Sequence, residues 1–84
     1  MADRNEVEGL VVKYVALAYG VEASSVTPST PYESLGRKST GLIKISALLE
    51  DELDMKIPVQ RLMKNESVAD TVDAVVGLLA EEGR

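Results

Sequence analysis

The residue best placed for chemistry is Ser39, within the polar sequence LGRKSTG at residues 35–41. Apolar residues at helical spacing follow directly, so Ser39 is predicted to begin a helix, where its oxygen can accept a hydrogen bond from a free first-turn amide. The position has a second chemical use, because free amides and the positive end of the helix dipole favour a phosphoester. The residues alone leave both interpretations open: a helix cap, or a serine that carries a prosthetic group.

Side chains for self-contained catalysis are scarce. The 84 residues include no Cys and no His, which removes the thiol nucleophile, the usual general base and the commonest metal ligands. Glu50 and Asp54 share a helix face by their spacing, but adjacent helical acids are usually solvated, and no base or nucleophile accompanies them. We therefore expect no metal site and no enzymatic activity.

Charge and hydropathy limit the partners. The net charge of −5 disfavours a nucleic-acid backbone and favours positively charged protein surfaces. No apolar run approaches the length of a membrane span, and the first residues lack the basic-then-apolar order of a signal peptide. We therefore expect a cytoplasmic, monomeric protein without a nucleic-acid partner.

Three segments have apolar residues at helical spacing. They predict a first helix over residues 4–19, a second over residues 39–53 and a third that starts at Ser67. The residues expected on the buried faces are Val7, Leu10, Val11, Tyr14, Leu17 and Ala18 in the first helix, Leu42, Ile45, Leu49 and Leu53 in the second, and Val68, Val72, Val75, Val76 and Leu79 in the third.

Capping residues mark the ends of these helices. Asp3 and Glu6 form a capping-box pattern before the first helix, and Gly20 favours a left-handed stop after it. Ser67 and Asp70 have the same capping spacing at the start of the last helix.

The connections differ in length. Residues 20–38 contain two prolines and predict a long loop without a regular helix, pinned to the core by apolar anchors. The second connection predicts an apolar turn, a short helical piece around residues 59–63, and a mobile polar stretch at residues 64–66. The side chains expected to point inward from the two connections are Val21, Val26, Tyr32, Leu35, Leu62 and Met63.

These elements predict an all-α fold. It is a small antiparallel helical bundle of three main helices plus one short helix, with a long loop between helices one and two. Residues 1–84 are expected to form a single domain.

The second helix has an unusual order of charges. Ile43 and Ala47 lie off the buried stripe beside Lys44, and form a small apolar patch among charged residues. Basic residues crowd the N-terminal end of this helix and acidic residues crowd its C-terminal end, which opposes the helix dipole. A phosphate bound near the basic residues, a partner surface and a solvated charged face all remain open. The residues concerned are Arg37, Lys38 and Lys44, and then Glu50, Asp51, Glu52 and Asp54.

The order of elements resembles that of the acyl carrier protein and peptidyl carrier protein family, the phosphopantetheine-attachment domains. Leu35-Gly36 precedes Ser39 by the family's spacing, and Ile57-Pro58 follows it at the family's interval without a gap. Tyr32 stands where the family places a loop anchor. The resemblance covers almost the full chain, so residues 1–84 are interpreted as one acyl-carrier-like domain.

The resemblance implies that Ser39 carries 4′-phosphopantetheine, transferred from coenzyme A by a separate phosphopantetheinyl transferase. The resulting phosphoprotein would carry acyl, aminoacyl or ketide groups as thioesters in fatty-acid, lipid or specialised polyketide or peptide biosynthesis, with the acyl chain tucked between the helices. Helix two would then dock on the transferase and on acyl- or aminoacyl-loading and acyl-processing enzymes. The expected partner-binding residues are Lys38, Thr40, Ile43, Lys44, Ala47, Glu50 and Asp51.

Several residues around the serine depart from the family pattern. Lys38 stands where Asp or His is usual, and Thr40 stands where Leu is usual. Gly41 and Lys44 occupy positions where acidic residues are common. These differences favour a specialised carrier with dedicated partners. They also keep open the alternative of an unmodified, carrier-like interaction module in which Ser39 is only a helix cap.

Overall fold

The structure is a computed structural model that describes residues 3–36 and 39–83, with the backbone alone for Ser39. Three α-helices account for most of it: α1 (Arg4–Tyr19), α2 (Ser39–Leu53) and α3 (Val68–Glu81). The predicted all-α fold is confirmed, and α1 packs against both other helices. The predicted short helix is a single 3-10 turn, and two more such turns interrupt the long loop. The three turns are Ala23–Ser25, Tyr32–Leu35 and Val59–Arg61.

The predicted helix ends are confirmed. Asp3 Oδ1 accepts a hydrogen bond from the Glu6 backbone N–H at 2.9 Å, which satisfies one free amide of the first turn. Gly20 ends α1 in the left-handed conformation, with φ of 69°. Asp70 Oδ2 accepts from the Ser67 backbone N–H at 3.2 Å at the start of α3.

An aliphatic core lies between the helices. Most of the predicted inward positions are buried, and α1 adds Val15 and Ala16 to them. The buried apolar residues of the three helices are Val7, Val11, Tyr14, Val15, Ala16, Leu42, Ile45, Leu49, Val68, Val72, Val75, Leu78 and Leu79. Among the described residues, no helix combines the length and the apolar character needed to cross a membrane.

The prediction that Leu17 faces the core is wrong, since its side chain is 62% exposed. The buried face of α1 is centred on the row Val7, Val11 and Val15. At about 100° per residue, Leu17 lies roughly 200° around the helix from Val15 and so points away from α2 and α3.

Two predicted anchors in the connections are also wrong. Val21 is 37% exposed, because the chain turns outward after Gly20 and does not re-enter the core until Val26. Met63 is 50% exposed, while its neighbour Leu62 is fully buried, since consecutive side chains in a tight turn point in different directions.

The long loop is held by hydrogen bonds to the start of α3. The Val68 N–H donates to Thr30 O at 3.0 Å, and the Ala69 N–H donates to Pro28 O at 2.9 Å. In the other direction, the Tyr32 N–H donates to the Glu66 carbonyl at 2.9 Å. The loop thus satisfies two helix amides that would otherwise have no partner in the helix.

A buried polar cluster of three side chains reinforces this contact. Tyr32, the fully buried loop anchor, shares a hydrogen bond between its Oη and Thr71 Oγ1 at 2.5 Å. Asn65 Nδ2 donates to the same Thr71 oxygen at 2.9 Å. The polar stretch 64–66, predicted to be mobile, therefore contributes a buried side chain that ties it to α3.

Replacing Thr71 with Val tests this polar cluster. The substitution keeps the side-chain shape but leaves the buried Tyr32 hydroxyl and the Asn65 amide without their shared partner, which should cost about 1 to 3 kcal/mol of unfolding free energy. Urea denaturation measures the loss. Thr40→Val, at an exposed position, is the matched control and should change stability by less than about 0.5 kcal/mol. Equal effects of the two substitutions would contradict the role of Thr71.

The raised pKa of Tyr32 leads us to expect a loss of stability at alkaline pH. Burial raises the pKa of Tyr32 to about 12, with smaller effects from the Thr71 hydrogen bond, which lowers it, and from Tyr19 and Asp70, which raise it. The unfolded chain therefore releases this proton first, near pH 10, and the stabilisation present below that pH is lost as pH rises through the folded pKa. Between pH 9 and 11 the wild type should lose about 1 kcal/mol more than Tyr32→Phe, measured by urea denaturation. An identical decline in both proteins would rule this out.

Candidate functional site

Ser39 is the first residue of α2, as predicted. The 3-10 turn Tyr32–Leu35 precedes it and ends at Gly36, whose φ of 97° lies in the left-handed region that favours glycine. The first turn of α2 contains no acidic residue. A negative group on Ser39 would therefore meet the positive end of the helix dipole without repulsion from a carboxylate of that turn. Arg37 and Lys38, both singled out by the sequence, lie outside the described residues.

One face of α2 is open to solvent. Thr40, Lys44, Ala47 and Asp51 are exposed at helical spacing, and Ile43 beside them is 55% exposed. The prediction that Ile43 and Ala47 lie off the buried stripe is confirmed. That these residues bind an enzyme stays a prediction. The exposed face carries an apolar patch, Ile43 and Ala47, and one positive charge, Lys44.

Glu50 has an internal contact that the sequence did not indicate. Its Oε2 accepts a hydrogen bond from the Ile57 backbone N–H at 2.7 Å. The buried Ser46 hydroxyl donates to the Ile57 carbonyl oxygen at 2.8 Å. Both polar backbone groups of Ile57 are thus satisfied by side chains of α2, so the half-buried Glu50 carboxylate helps to position the Ile-Pro turn.

Glu52 is also engaged within the fold. Its Oε1 accepts a hydrogen bond from the Tyr14 hydroxyl at 2.6 Å and so joins α2 to α1. This hydrogen bond is the largest cause of a raised pKa for Tyr14, followed by burial and by the charges of Glu52 and Asp51. Two of the acids that oppose the helix dipole therefore have internal partners, while Asp51 faces solvent.

The sequence also did not indicate a contact between α1 and α2, which joins Tyr19 to Gly41. Gly41 is buried in the first turn of α2, and a Cβ built there would lie 2.5 Å from Cζ of Tyr19. The last residue of α1 thus packs on the helix start, and its ring also lies near Tyr32, with centroids 6.1 Å apart. A glycine inside a helical pattern was the available signal, since such a residue often has a packing reason.

The fold and the site together define a class: a small helical domain that presents a serine at the first residue of a solvent-facing helix. A family model described as a phosphopantetheine attachment site matches residues 10–75. The chain is 33% identical over 75 residues to an acyl carrier protein of Rubrobacter xylanophilus, covering 88% of this chain and 93% of that protein. It is 34% identical over 65 residues to orsellinic acid synthase of Emericella nidulans, covering 77% of this chain. The chain spans only 3% of the length of that synthase.

The protein belongs to the phosphopantetheine-attachment family of acyl carrier domains. Its domain is an attachment site for covalent 4′-phosphopantetheine, and its role is that of a carrier. The predicted family and cofactor are therefore confirmed.

The contribution of the Glu50 contact to stability can be measured by comparison with its exposed neighbour Asp51. Glu50→Ala removes a charged acceptor from the Ile57 N–H and should cost about 1.5 to 3 kcal/mol of unfolding free energy. Asp51→Ala, at the adjacent exposed acid, should cost less than about 0.5 kcal/mol. Thermal or urea unfolding of the two variants decides the question, and matching stabilities would show that the Glu50 contact contributes nothing.

Proposed function

We propose that Ser39 is the residue that carries the phosphopantetheine arm. The supporting observation is that the family match spans residue 39, and that α2 begins there with no acid in its first turn. Two other serines within the match, one inside a helix and one at a helix start, are less suitable. Ser46 is buried and donates to Ile57 O, and Ser67 starts a helix whose next two amides are occupied by loop carbonyls.

The attachment reaction needs an enzyme and coenzyme A. Ser39 Oγ would attack the pantetheine-bearing phosphorus of the coenzyme A pyrophosphate, forming an Oγ–P bond while the P–O bond to the second phosphate breaks. Adenosine 3′,5′-bisphosphate leaves, and the serine proton passes to a base on the transferase, since this chain has no His. The arm supplies a thiol for thioesters to a chain that has no Cys.

The cargo is proposed to be an acyl, aminoacyl or ketide group in fatty-acid, lipid or specialised polyketide or peptide biosynthesis. Catalysis then belongs to the transferase and to the loading and processing enzymes, and residues 1–84 act as a single presenting domain. The similarity to one protein named as an acyl carrier and to another named as a synthase supports this range.

The exposed face of α2 is the proposed docking surface for these enzymes. Lys44 is the next basic residue of the sequence after Arg37 and Lys38 and lies about 7.5 Å along the axis of α2 from Ser39, and Asp51 lies farther along the helix. A partner that fits this order presents acidic groups around its active-site entrance and basic groups beyond them. Thr40, Ile43 and Ala47 contribute the uncharged part of the surface, while Glu50 contributes mainly through the Ile57 turn.

An unmodified interaction module is the second candidate function. The observation that favours it is Thr40, which is exposed directly after the serine where the resemblance leads one to expect Leu. In that case Ser39 carries no arm, and the exposed face binds a protein without any group transfer.

Intact mass spectrometry separates the two functions. The wild type is incubated with coenzyme A and a broad-specificity phosphopantetheinyl transferase, and we expect a gain of one phosphopantetheinyl group. Ser39→Ala should show no gain, whereas Ser29→Ala, at an exposed loop serine, should be modified like the wild type. Circular dichroism confirms that each protein is folded. A folded wild type that gains no mass with several transferases would favour the unmodified module.

A further inference from the structure

We infer that Ile43 is the side chain on which the first apolar part of the phosphopantetheine arm rests once the arm is attached to Ser39. That part is the pantoyl unit, whose quaternary carbon carries geminal methyl groups and is separated from the phosphate oxygen by a single methylene. The inference rests on the proposed function of Ser39, and it gives Ile43 a contact within the modified protein itself, before any enzyme binds.

The spacing along α2 places position 43 below the point of attachment. The helix begins at Ser39, and residue 43 lies one turn later, about 40° around the helix and about 6 Å along its axis. Side chains of an α-helix tilt towards its N-terminus, so the Ile43 side chain leans back towards the turn that carries the arm. A group that leaves position 39 and follows the helix surface towards the C-terminus therefore passes over Ile43.

Ile43 is also the accessible member of the pair of residues that follow Ser39 by one turn. Leu42, three residues on, is 4% exposed and belongs to the core, whereas Ile43 is 55% exposed. Thr40 is exposed as well, but it lies about 100° around the helix from residue 39 and carries a hydroxyl group. The apolar surface that α2 offers beside the attachment point is therefore that of Ile43.

The chemistry of the arm follows the same order as the surface of the helix. The phosphate comes first and is favoured at the helix start, where the first turn contains no acidic residue. The geminal methyl groups come next, and their contact with Ile43 removes apolar surface of both groups from water. The amide groups that follow are polar and keep their hydrogen bonds to water, so the contact is limited to the part of the arm nearest the serine.

Attachment at Ser39 makes this contact intramolecular. Because the phosphodiester linkage already restricts the atoms nearest the serine, ordering the pantoyl unit costs less conformational entropy than ordering the free end of the arm. The pantoyl methyl groups thus stay near Ile43, while the thiol end remains free to reach the enzymes. An enzyme that docks on α2 then contacts the two apolar groups together.

NMR spectroscopy of the modified protein, without any partner, tests the inference. The chain contains three isoleucines, Ile43, Ile45 and Ile57, and the last two are fully buried. With ¹³C in the isoleucine δ1 methyl groups and an unlabelled arm, isotope-filtered nuclear Overhauser spectra record which isoleucine the arm approaches. We expect cross-peaks between the pantoyl methyl protons and Ile43, and none to Ile45 or Ile57.

A pair of variants separates this contact from a general effect of exposed aliphatic residues. Ile43→Ser removes the apolar surface and should return the pantoyl methyl signals to their positions in free phosphopantetheine. Leu17→Ser is the matched control, because Leu17 is 62% exposed on α1 and points away from α2, and it should leave these signals as in the wild type. Intact mass spectrometry confirms that each protein carries the arm, and the cross-peaks of the wild type decide the question even if Ile43→Ser is modified poorly.

The failure of this inference can be told apart from the failure of the proposed function. A wild type that is modified at Ser39 but shows no cross-peaks to Ile43, or shows them to Ile45 or Ile57 instead, would overturn the inference alone. Equal changes of the methyl signals in Ile43→Ser and Leu17→Ser would do the same. A folded wild type that gains no mass with coenzyme A and several transferases would overturn the proposed function, and with it this contact.

Discussion

The contact between the long loop and the start of α3 is the constraint on which the rest of the structure depends. Backbone carbonyls of the loop need hydrogen-bond donors, and the first amides of a helix have no partners within the helix. The two needs are met together, because Thr30 and Pro28 accept from the first amides of α3. The buried Tyr32 side chain adds a hydrogen bond to Thr71 of α3 within the core. These contacts fix the loop at Tyr32, seven residues before α2 begins.

The second helix divides its side chains between the fold and the surface. Ser46 and Glu50 hold the Ile57 turn, and Glu52 receives the hydroxyl of Tyr14. The acids at the C-terminal end oppose the helix dipole, yet an exposed misplacement costs only tenths of a kcal/mol, while each charged hydrogen bond is worth more. The charge order of the helix is therefore explained in part by packing, and the acidity left for a partner is smaller than the sequence suggests.

The absence of Cys and His is consistent with a carrier, because the prosthetic group and the partner enzymes supply the reactive groups. The reactive thiol arrives with the prosthetic group, so the protein needs only a serine at an accessible helix start and a surface by which enzymes approach it. The helix dipole and the lack of acids in the first turn suit a phosphoester there. In the proposed arrangement, selectivity comes from the exposed side chains of α2 that follow that serine.

The sequence by itself determined the three helices, their caps at Asp3 and Gly20, and the family, because periodicity, capping and motif spacing depend on residues close together in the chain. It also indicated Ser39 as the candidate site. Only the tertiary structure decided that Leu17 faces solvent, that Asn65 is buried, and that Tyr19 covers Gly41. The physical reason is the same in each case. Elements distant in the chain decide which side of a helix is covered and which polar group has a hydrogen-bond partner. The local sequence pattern does not specify where those elements pack.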